Sequence, residues 1–153
     1  MSATFEAAST TDLPRIRAVL AASELPVDDL DQHVAHFILA KQGSQTIGTV
    51  AVEYAGHAAL LRSLCVVPEH RGRSIGAHLL EAIEATAIDR GVRELFLLTT
   101  SSAAFFERHG FSPTTRAAAP PGIQSTAQFR TLCPATAICM HKSLPARSSE
   151  GPT

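Results

Sequence analysis

The residues best suited to chemistry lie in one short stretch, Arg71-Gly72-Arg73-Ser74-Ile75-Gly76, between an apolar run ending at Val67-Pro68 and a run of helical periodicity. A strand that turns through glycine into a helix presents unpaired backbone N–H groups and the positive end of the helix dipole, which together make a phosphate site. Arg71 and Arg73 add charge beside it, and Gly72 and Gly76 let the backbone approach a ligand closely. The spacing is neither the Gly-x-Gly-x-x-Gly of dinucleotide folds nor the Gly-x-x-x-x-Gly-Lys-Ser/Thr of the nucleotide P-loop, so both lose support. Arg-Gly pairs ahead of helices also serve as plain N-terminal turns, and this stretch alone leaves both readings open.

The neighbouring elements must position this loop. Leu13, Ile16, Val19 and Leu20 recur at helical spacing behind Thr10-Thr11-Asp12 and Pro14, predicting a first helix that ends near Ser23. Pro26 interrupts, and Asp28 to His33 reads as a short acidic helix. Phe37 to Ala40, Thr46 to Tyr54 and Ala58 to Val67 read as strands joined by turns at Gly43-Ser44 and Ala55-Gly56-His57, an antiparallel meander. From Ser74 to Arg90, Ile75, Leu79, Ile83 and Ala87 repeat every four positions and Gly91 supplies a stop, predicting the main helix. Glu94 to Leu98 then reads as a strand and Ala103 to Arg108 as a short helix. The strand, helix, strand order requires a parallel pairing through a crossover. Ser112 to Pro121 lacks periodicity and reads as a loop, Ile123 to Phe129 as a helical turn, Ala135 to His141 as a last strand, and 145–153 as a disordered tail.

The chain of 153 residues has a formal net charge of −1, so no overall positive field favours nucleic acid or an anionic membrane. No apolar run approaches the roughly 20 residues needed to span a bilayer. Met1 to Ala8 lacks the layout of a secretory signal, and three cysteines cannot all pair within one chain. A cytoplasmic chain with free thiols is the expectation.

Leu64-Cys65-Val66-Val67-Pro68-Glu69-His70-Arg71-Gly72-Arg73-Ser74-Ile75-Gly76-Ala77-His78-Leu79-Leu80 resembles the acetyl-CoA signature of the GCN5-related N-acetyltransferases (GNAT), Gln/Arg-x-x-Gly-x-Gly/Ala with its preceding strand. Phe105-Phe106-Glu107-Arg108-His109-Gly110-Phe111 resembles that family's second motif. The likeness covers the chain from about Thr4 to Lys142. It implies an α+β fold, with a central mixed, mostly antiparallel twisted sheet flanked by helices and parallel strands splayed at the acetyl-CoA site. It further implies one acetyltransferase domain over residues 1–144 and a homodimer. Two departures stand out: Ser74 occupies the place of the signature's middle glycine, and Phe106 the place where many members carry a tyrosine that protonates the leaving thiolate. Phenylalanine has no proton to give.

As the resemblance implies, acetyl-CoA binds along Leu64, Cys65, Val66 and Val67, where its pantetheine arm pairs like an added strand, with its pyrophosphate on Arg71, Gly72, Arg73, Ser74, Ile75, Gly76 and Ala77. The Val66 N–H is the oxyanion donor. Glu53, on the preceding strand, is the carboxylate placed to deprotonate the acceptor amine directly or through water, or else a solvated strand residue. Arg62 offers a fork to an acidic group on the substrate, with Ser63 beside it, or else pairs with a structural carboxylate. Thr99 and Phe106 border the cofactor, although Thr99 and Thr100 equally suit capping of the next helix. Tyr54 is either a displaced general acid or packing.

Leu60-Leu61-Arg62-Ser63-Leu64, Leu97-Leu98-Thr99-Thr100 and Gln128 to Ala137 are similar to the acetyltransferase-like proteins associated with bacterial arsenic resistance, the ArsN type. That likeness implies a small primary amine as acceptor, an organoarsenical or another amino-acid analogue. Asp28, Asp29 and Asp31 argue the other way, toward a cationic peptide. Two rival readings are a thiol-based arsenite binder using Cys65, Cys133 and Cys139, set against their being small buried hydrophobes, and an acetyl-CoA sensor without catalysis. His33 and His36, at i, i+3 spacing, read as surface residues, and no metal site is expected.

Overall fold

The computed structural model describes residues 3–25, 27, 30–33, 36–72, 74–132, 136–146. Expectations that rest on Pro26, Asp28, Asp29, Arg73, Cys133 and the tail from 147 onward lie outside the described residues, as do the side chains of Asp31, Gln32, Thr131 and Leu132. The elements are β1 (Thr4–Ala7), α1 (Leu13–Ala22), α2 (Leu30–His33), β2 (Phe37–Gln42), β3 (Gln45–Ala55), β4 (Ala58–Val66), α3 (Ile75–Asp89), β5 (Glu94–Thr99), α4 (Ala103–Arg108), β6 (Ser112–Thr114), α5 (Pro121–Gln124), a π-helical turn (Gln128–Leu132) and β7 (Ile138–Ser143). The strands form a seven-stranded sheet in the order β1-β2-β3-β4-β5-β7-β6. β4 and β5 pair in parallel, Ala58 with Glu94 through Leu60 with Phe96, and β1-β2, β2-β3, β5-β7 and β6-β7 are antiparallel.

Two compact units interleave along the chain. The first comprises Met1–Glu53 and Arg62–Ala85. Its core gathers Ile16, Val19 and Leu20 of α1 and Leu30 of α2 with Phe37, Leu39, Ala51 and Cys65 of the strands. The α1 triad falls on one stripe because the positions are three and four apart, and each such side chain contributes roughly 1.5–3 kcal/mol by leaving water. The helix is entered through a 3-10 turn at Thr10–Asp12, where Ser9 and Asp12 cap each other reciprocally. Asp12 also accepts from Lys41 at 3.1 Å, and Lys41 lies 3.3 Å from Glu6.

The second unit comprises Tyr54–Leu61 and Thr86–Thr153. Its core gathers Ala58, Leu60, Phe96, Ala119, Ile123, Phe129 and Cys139. Three sequence expectations are corrected. β1 was not anticipated, because the alternation of Thr4, Phe5, Glu6 and Ala7 is too short to signal a strand and all four residues are exposed. The stretch read as a loop from Ser112 begins as β6, which pairs with β7 from Ser112–His141 to Thr114–Cys139 despite Pro113; an edge strand tolerates a proline whose missing N–H faces outward. The last strand runs from Ile138 to Ser143, with Thr136 and Ala137 ahead of it outside the strand, while Ala135 lies outside the described residues.

Candidate active site

The phosphate loop belongs to the first unit. Gly72 has φ 82 and Ser74 φ 64, so the chain passes twice through the left-handed region before α3 begins at Ile75. Glycine enters that region without penalty, whereas serine pays about 1–2 kcal/mol. The Ser74 carbonyl accepts from His78 at 3.0 Å, the first closed turn of the helix. The amides of Ile75, Gly76 and Ala77 therefore precede the first intrahelical bond and lie at the positive end of a 15-residue helix. Arg71 is tied back to β4: its Nε donates to the Val66 carbonyl at 3.0 Å. Ile75 is buried and anchors the helix start.

Gly48 of β3 explains how close that helix lies to its strand. A Cβ there would stand 2.9 Å from Leu79 Cδ1, 3.2 Å from the Cys65 carbonyl oxygen and 3.4 Å from Ile75 Cγ2. Only glycine allows the first turns of α3 to rest directly on the sheet.

β4 carries an irregularity that the sequence did not announce. Ser63 has φ 61 in the middle of the strand, and its carbonyl accepts from the buried Thr49 hydroxyl at 2.7 Å. A left-handed residue inside a strand behaves as a bulge, bending the strand and re-aiming its side chains. Arg62 to Val66 lie beyond the last parallel β4–β5 pair, Leu60 with Phe96. After the bulge Cys65 is buried, its Sγ 3.0 Å from the Ser23 hydroxyl and 3.9 Å from the Val19 carbonyl, while Leu64 and Val66 are half-buried. The Val67 amide donates to Ile47 at 2.9 Å and so serves the sheet.

Glu53 and Arg62 come together. Arg62 Nη1 donates to Glu53 Oε2 at 2.8 Å, and its Nε to the Ser63 hydroxyl at 3.3 Å. The Arg62 side chain is fully buried, and that of Glu53 is 11% exposed. Of the two alternatives for each residue, a solvated strand glutamate and an uncommitted fork both give way to a buried ion pair. The other Glu53 oxygen, Oε1, faces His33 Nε2 at 3.7 Å. This corrects the reading of His33 and His36 as surface residues: α2 folds His33 over β3, its side chain is 18% exposed, and the two imidazole rings stand 6.4 Å apart.

Thr99 and Phe106 belong to the second unit. The Ser102 amide donates to Thr99 Oγ1 at 3.0 Å, a bond within the turn that enters α4, whose own N-terminus has no side-chain cap bond. Phe106 is buried and packs edge-on against Phe105 and Phe111, with centroids 5.2 and 5.5 Å away. The Tyr54 ring lies 4.8 Å beneath the Arg90 guanidinium, and burial pushes its phenol above the ordinary value, against the opposing pull of Arg90. Cys65 and Cys139 are free and buried, one in each unit, and burial raises the Cys139 thiol. Among the described residues no three His, Cys, Asp or Glu side chains gather to hold a metal.

A glycine-bearing turn, tied by Arg71 to a bulged strand in a mixed sheet, leads into the N-terminal amides of α3, an arrangement suited to an anion. Comparison with known proteins gives the class its name. Residues 33–113 match the acetyltransferase (GNAT) domain. An uncharacterised N-acetyltransferase of Chlorobaculum tepidum is 34% identical over 114 residues, 74% of this chain and 71% of that protein. The amino-acid acetyltransferase of Escherichia coli K12 is 32% identical over 88 residues, 56% of this chain but only 20% of the relative. N-acetylglutamate synthase from Neisseria gonorrhoeae, solved with coenzyme A and N-acetyl-glutamate, matches with a TM-score of 0.83 at 19% identity, over 95% of this chain and 36% of that one; at such identity the likeness is one of fold. The chain belongs to the GNAT acetyltransferase family.

Proposed function

We propose that the protein transfers an acetyl group from acetyl-CoA to the primary amine of a small molecule, with residues 1–144 as its acetyltransferase domain. The observation that carries the donor is the loop from Arg71 to Ala77, whose Gly72 and Ser74 geometry leads into the unpaired amides of α3. Those groups fit a pyrophosphate: several N–H donors, a helix dipole and an arginine converge where anionic oxygens would sit. With Nε of Arg71 on Val66, its terminal nitrogens are the ones to meet phosphate. Arg73, Thr99 and Phe106 complete the cofactor set on the strength of the family resemblance.

Beyond the bulge, the backbone of Leu64, Cys65 and Val66 is the edge along which pantetheine would pair, and the Val66 N–H is the donor to the developing oxyanion. Glu53 is the carboxylate on which deprotonation of the acceptor depends. Arg62 and Ser63 border the acceptor on the strength of the family resemblance, and Arg62, buried with Nη1 on Glu53, acts there by holding that carboxylate. With phenylalanine at position 106, the leaving thiolate collects its proton from water, since an ordinary thiol's pKa of about 8.5 makes a dedicated acid dispensable.

For the acceptor, the amino-acid acetyltransferases among the relatives favour an amino acid or an analogue of one, and the ArsN-like segments narrow this to an arsenical amino acid. We place the reaction in the cytoplasm and read the protein as a homodimer on family grounds; no described helix is long and apolar enough to cross a membrane. Calorimetric titration with acetyl-CoA, followed by a screen of protein amino acids, arsenical and phosphonate analogues, polyamines and lysine peptides for thiol release, tests the reading. Binding that survives Gly76→Glu unchanged removes the loop assignment, and preference for the cationic acceptors removes the small acidic amine.

A further inference from the structure

The end of β4 and the phosphate loop share one side-chain bond beyond those that close the turn between them. The peptide joining Val66 to Val67 is held from both sides: the Val67 N–H donates to the Ile47 carbonyl of β3 at 2.9 Å, and the Val66 carbonyl accepts from Arg71 Nε at 3.0 Å. Backbone bonds already shape the turn, with the His70 N–H on the Val67 carbonyl at 3.0 Å and the Arg71 N–H on the Pro68 carbonyl at 3.3 Å, around the 3-10 turn Pro68–His70. Arg71 is exposed, and an exposed hydrogen bond of this kind adds little to folding. Its geometry matters more. A guanidinium carries Nε and both terminal nitrogens in one rigid plane, so committing Nε to Val66 fixes the direction in which the other two point.

We propose that Arg71 is a positioning residue for acetyl transfer, coupling the hold on the pyrophosphate to the setting of the strand beside the thioester. This rests on the acetyl-transfer reading above and deepens it. With its terminal nitrogens on phosphate oxygens, Arg71 joins the loop to the end of β4 through Nε. The Val66 N–H, given above as the oxyanion donor, and the Val66 carbonyl belong to peptides that share one Cα. Holding the carbonyl therefore restrains ψ of Val66, and with it the tilt of the donor relative to the peptide that β3 anchors. The restraint falls where β4 most needs one: Ser63 at φ 61 has bent the strand, and Arg62 to Val66 lie beyond the last parallel pair, Leu60 with Phe96. A misplacement of about 1 Å at a reacting centre costs on the order of 100-fold in rate, so this bond is felt in turnover before it is felt in stability.

Two substitutions separate the roles. Lysine keeps the cation, but its one nitrogen cannot stand at the Nε and terminal positions together. Glutamine places an N–H at the position of Nε and carries no charge. By calorimetric titration Arg71→Lys should bind acetyl-CoA within a few-fold of wild type. Its single-turnover rate, with acetyl-CoA fully bound and the amine ranked first in the thiol-release screen, should fall at least about 10-fold. Arg71→Gln should reverse the pattern: affinity reduced at least about 10-fold, with the rate of the loaded enzyme within about threefold of wild type. Arg71→Met should lose both. Amide exchange gives a readout that needs no acceptor: in acetyl-CoA-saturated protein the Val67 N–H should exchange faster in Arg71→Lys and Arg71→Met than in wild type or Arg71→Gln. Melting temperatures near that of wild type confirm that each variant is folded. The coupling is overturned, while acetyl transfer stands, by Arg71→Lys with wild-type turnover and exchange, by Arg71→Gln as slow as Arg71→Met, or by Arg71→Gln with wild-type affinity. Wild type that binds acetyl-CoA but acetylates no amine overturns both readings.

Discussion

Ser74 is the place where a conformational cost can be read directly from the backbone. At φ 64 it occupies a region that costs a non-glycine residue about 1–2 kcal/mol. Ser74→Gly removes this cost but adds chain entropy to the unfolded state, roughly 0.4–1 kcal/mol in the opposite direction. The net expectation is a gain of about 0.5–1 kcal/mol. For a chain of this size each kcal/mol moves Tm by roughly 2–4 °C, so Ser74→Gly should melt one to four degrees above wild type, at about the limit of easy detection and well within reach of replicate calorimetry. Ser74→Val, which forces a β-branched side chain into the same region, should fall by several degrees. Ser74→Ala isolates the hydroxyl, because alanine meets the same backbone cost. All the loop amides survive in the glycine variant, so acetyl-CoA affinity should stay within about threefold of wild type, and saturating ligand should raise both melting temperatures by similar amounts. A glycine variant that melts below both wild type and the alanine variant would refute the reasoning, since strain at Ser74 could not then be what the backbone angle records.

Three further outcomes follow from the same geometry. Gly48→Ala places a methyl 3.2 Å from the rigid Cys65 carbonyl and 2.9 Å from the more yielding Leu79; it should cost about 1–3 kcal/mol in denaturant unfolding and weaken acetyl-CoA binding by lifting α3. Thr49→Val strips the Ser63 carbonyl of its 2.7 Å donor at nearly constant volume; about 1–3 kcal/mol should be lost, with turnover falling more than affinity, as steady-state kinetics would show. Asp12 is held below its ordinary 3.8, first by the Ser9 amide and then by Lys41, against the opposing effect of burial. Its contribution is therefore complete above that value and disappears as pH drops through the lower, folded one. Asp12→Asn should lower Tm at pH 7 and match wild type once acid has titrated the native carboxyl, as melting curves between pH 7 and 2 would reveal.

Much of the fold was legible because its longest elements carry their period openly. Ile75, Leu79, Ile83 and Ala87 could describe only a helix, and the helix between two apolar runs required the parallel pair found at Ala58–Leu60 and Glu94–Phe96. β1 and β6 were hidden, because a strand of three or four mostly exposed residues is made by its partner and not by its own short pattern. The loop was legible from glycines, yet its second left-handed residue is a serine, and Ser63 likewise gave no sign of the bulge in β4. Glu53 and Arg62 were each visible as candidates, nine residues apart across a hairpin. Their pairing was one alternative among several, and the arrival of His33 from a separate four-residue helix belongs to tertiary packing alone.

Cys65 gives the first unit a built-in reporter. Its sulfur is enclosed by Ser23 and the Val19 carbonyl, at the seam where α1 lies against β4. A thiol-specific reagent can reach it only when that seam opens, so the labelling rate of Cys65 in a Cys133→Ser, Cys139→Ser background measures how often the helix lifts from the strand. If acetyl-CoA braces β4 along Leu64 to Val66, its addition should slow that labelling in proportion to occupancy. The same enclosure means that, over short times, a colorimetric assay for released coenzyme A thiol will count product with little signal from this cysteine.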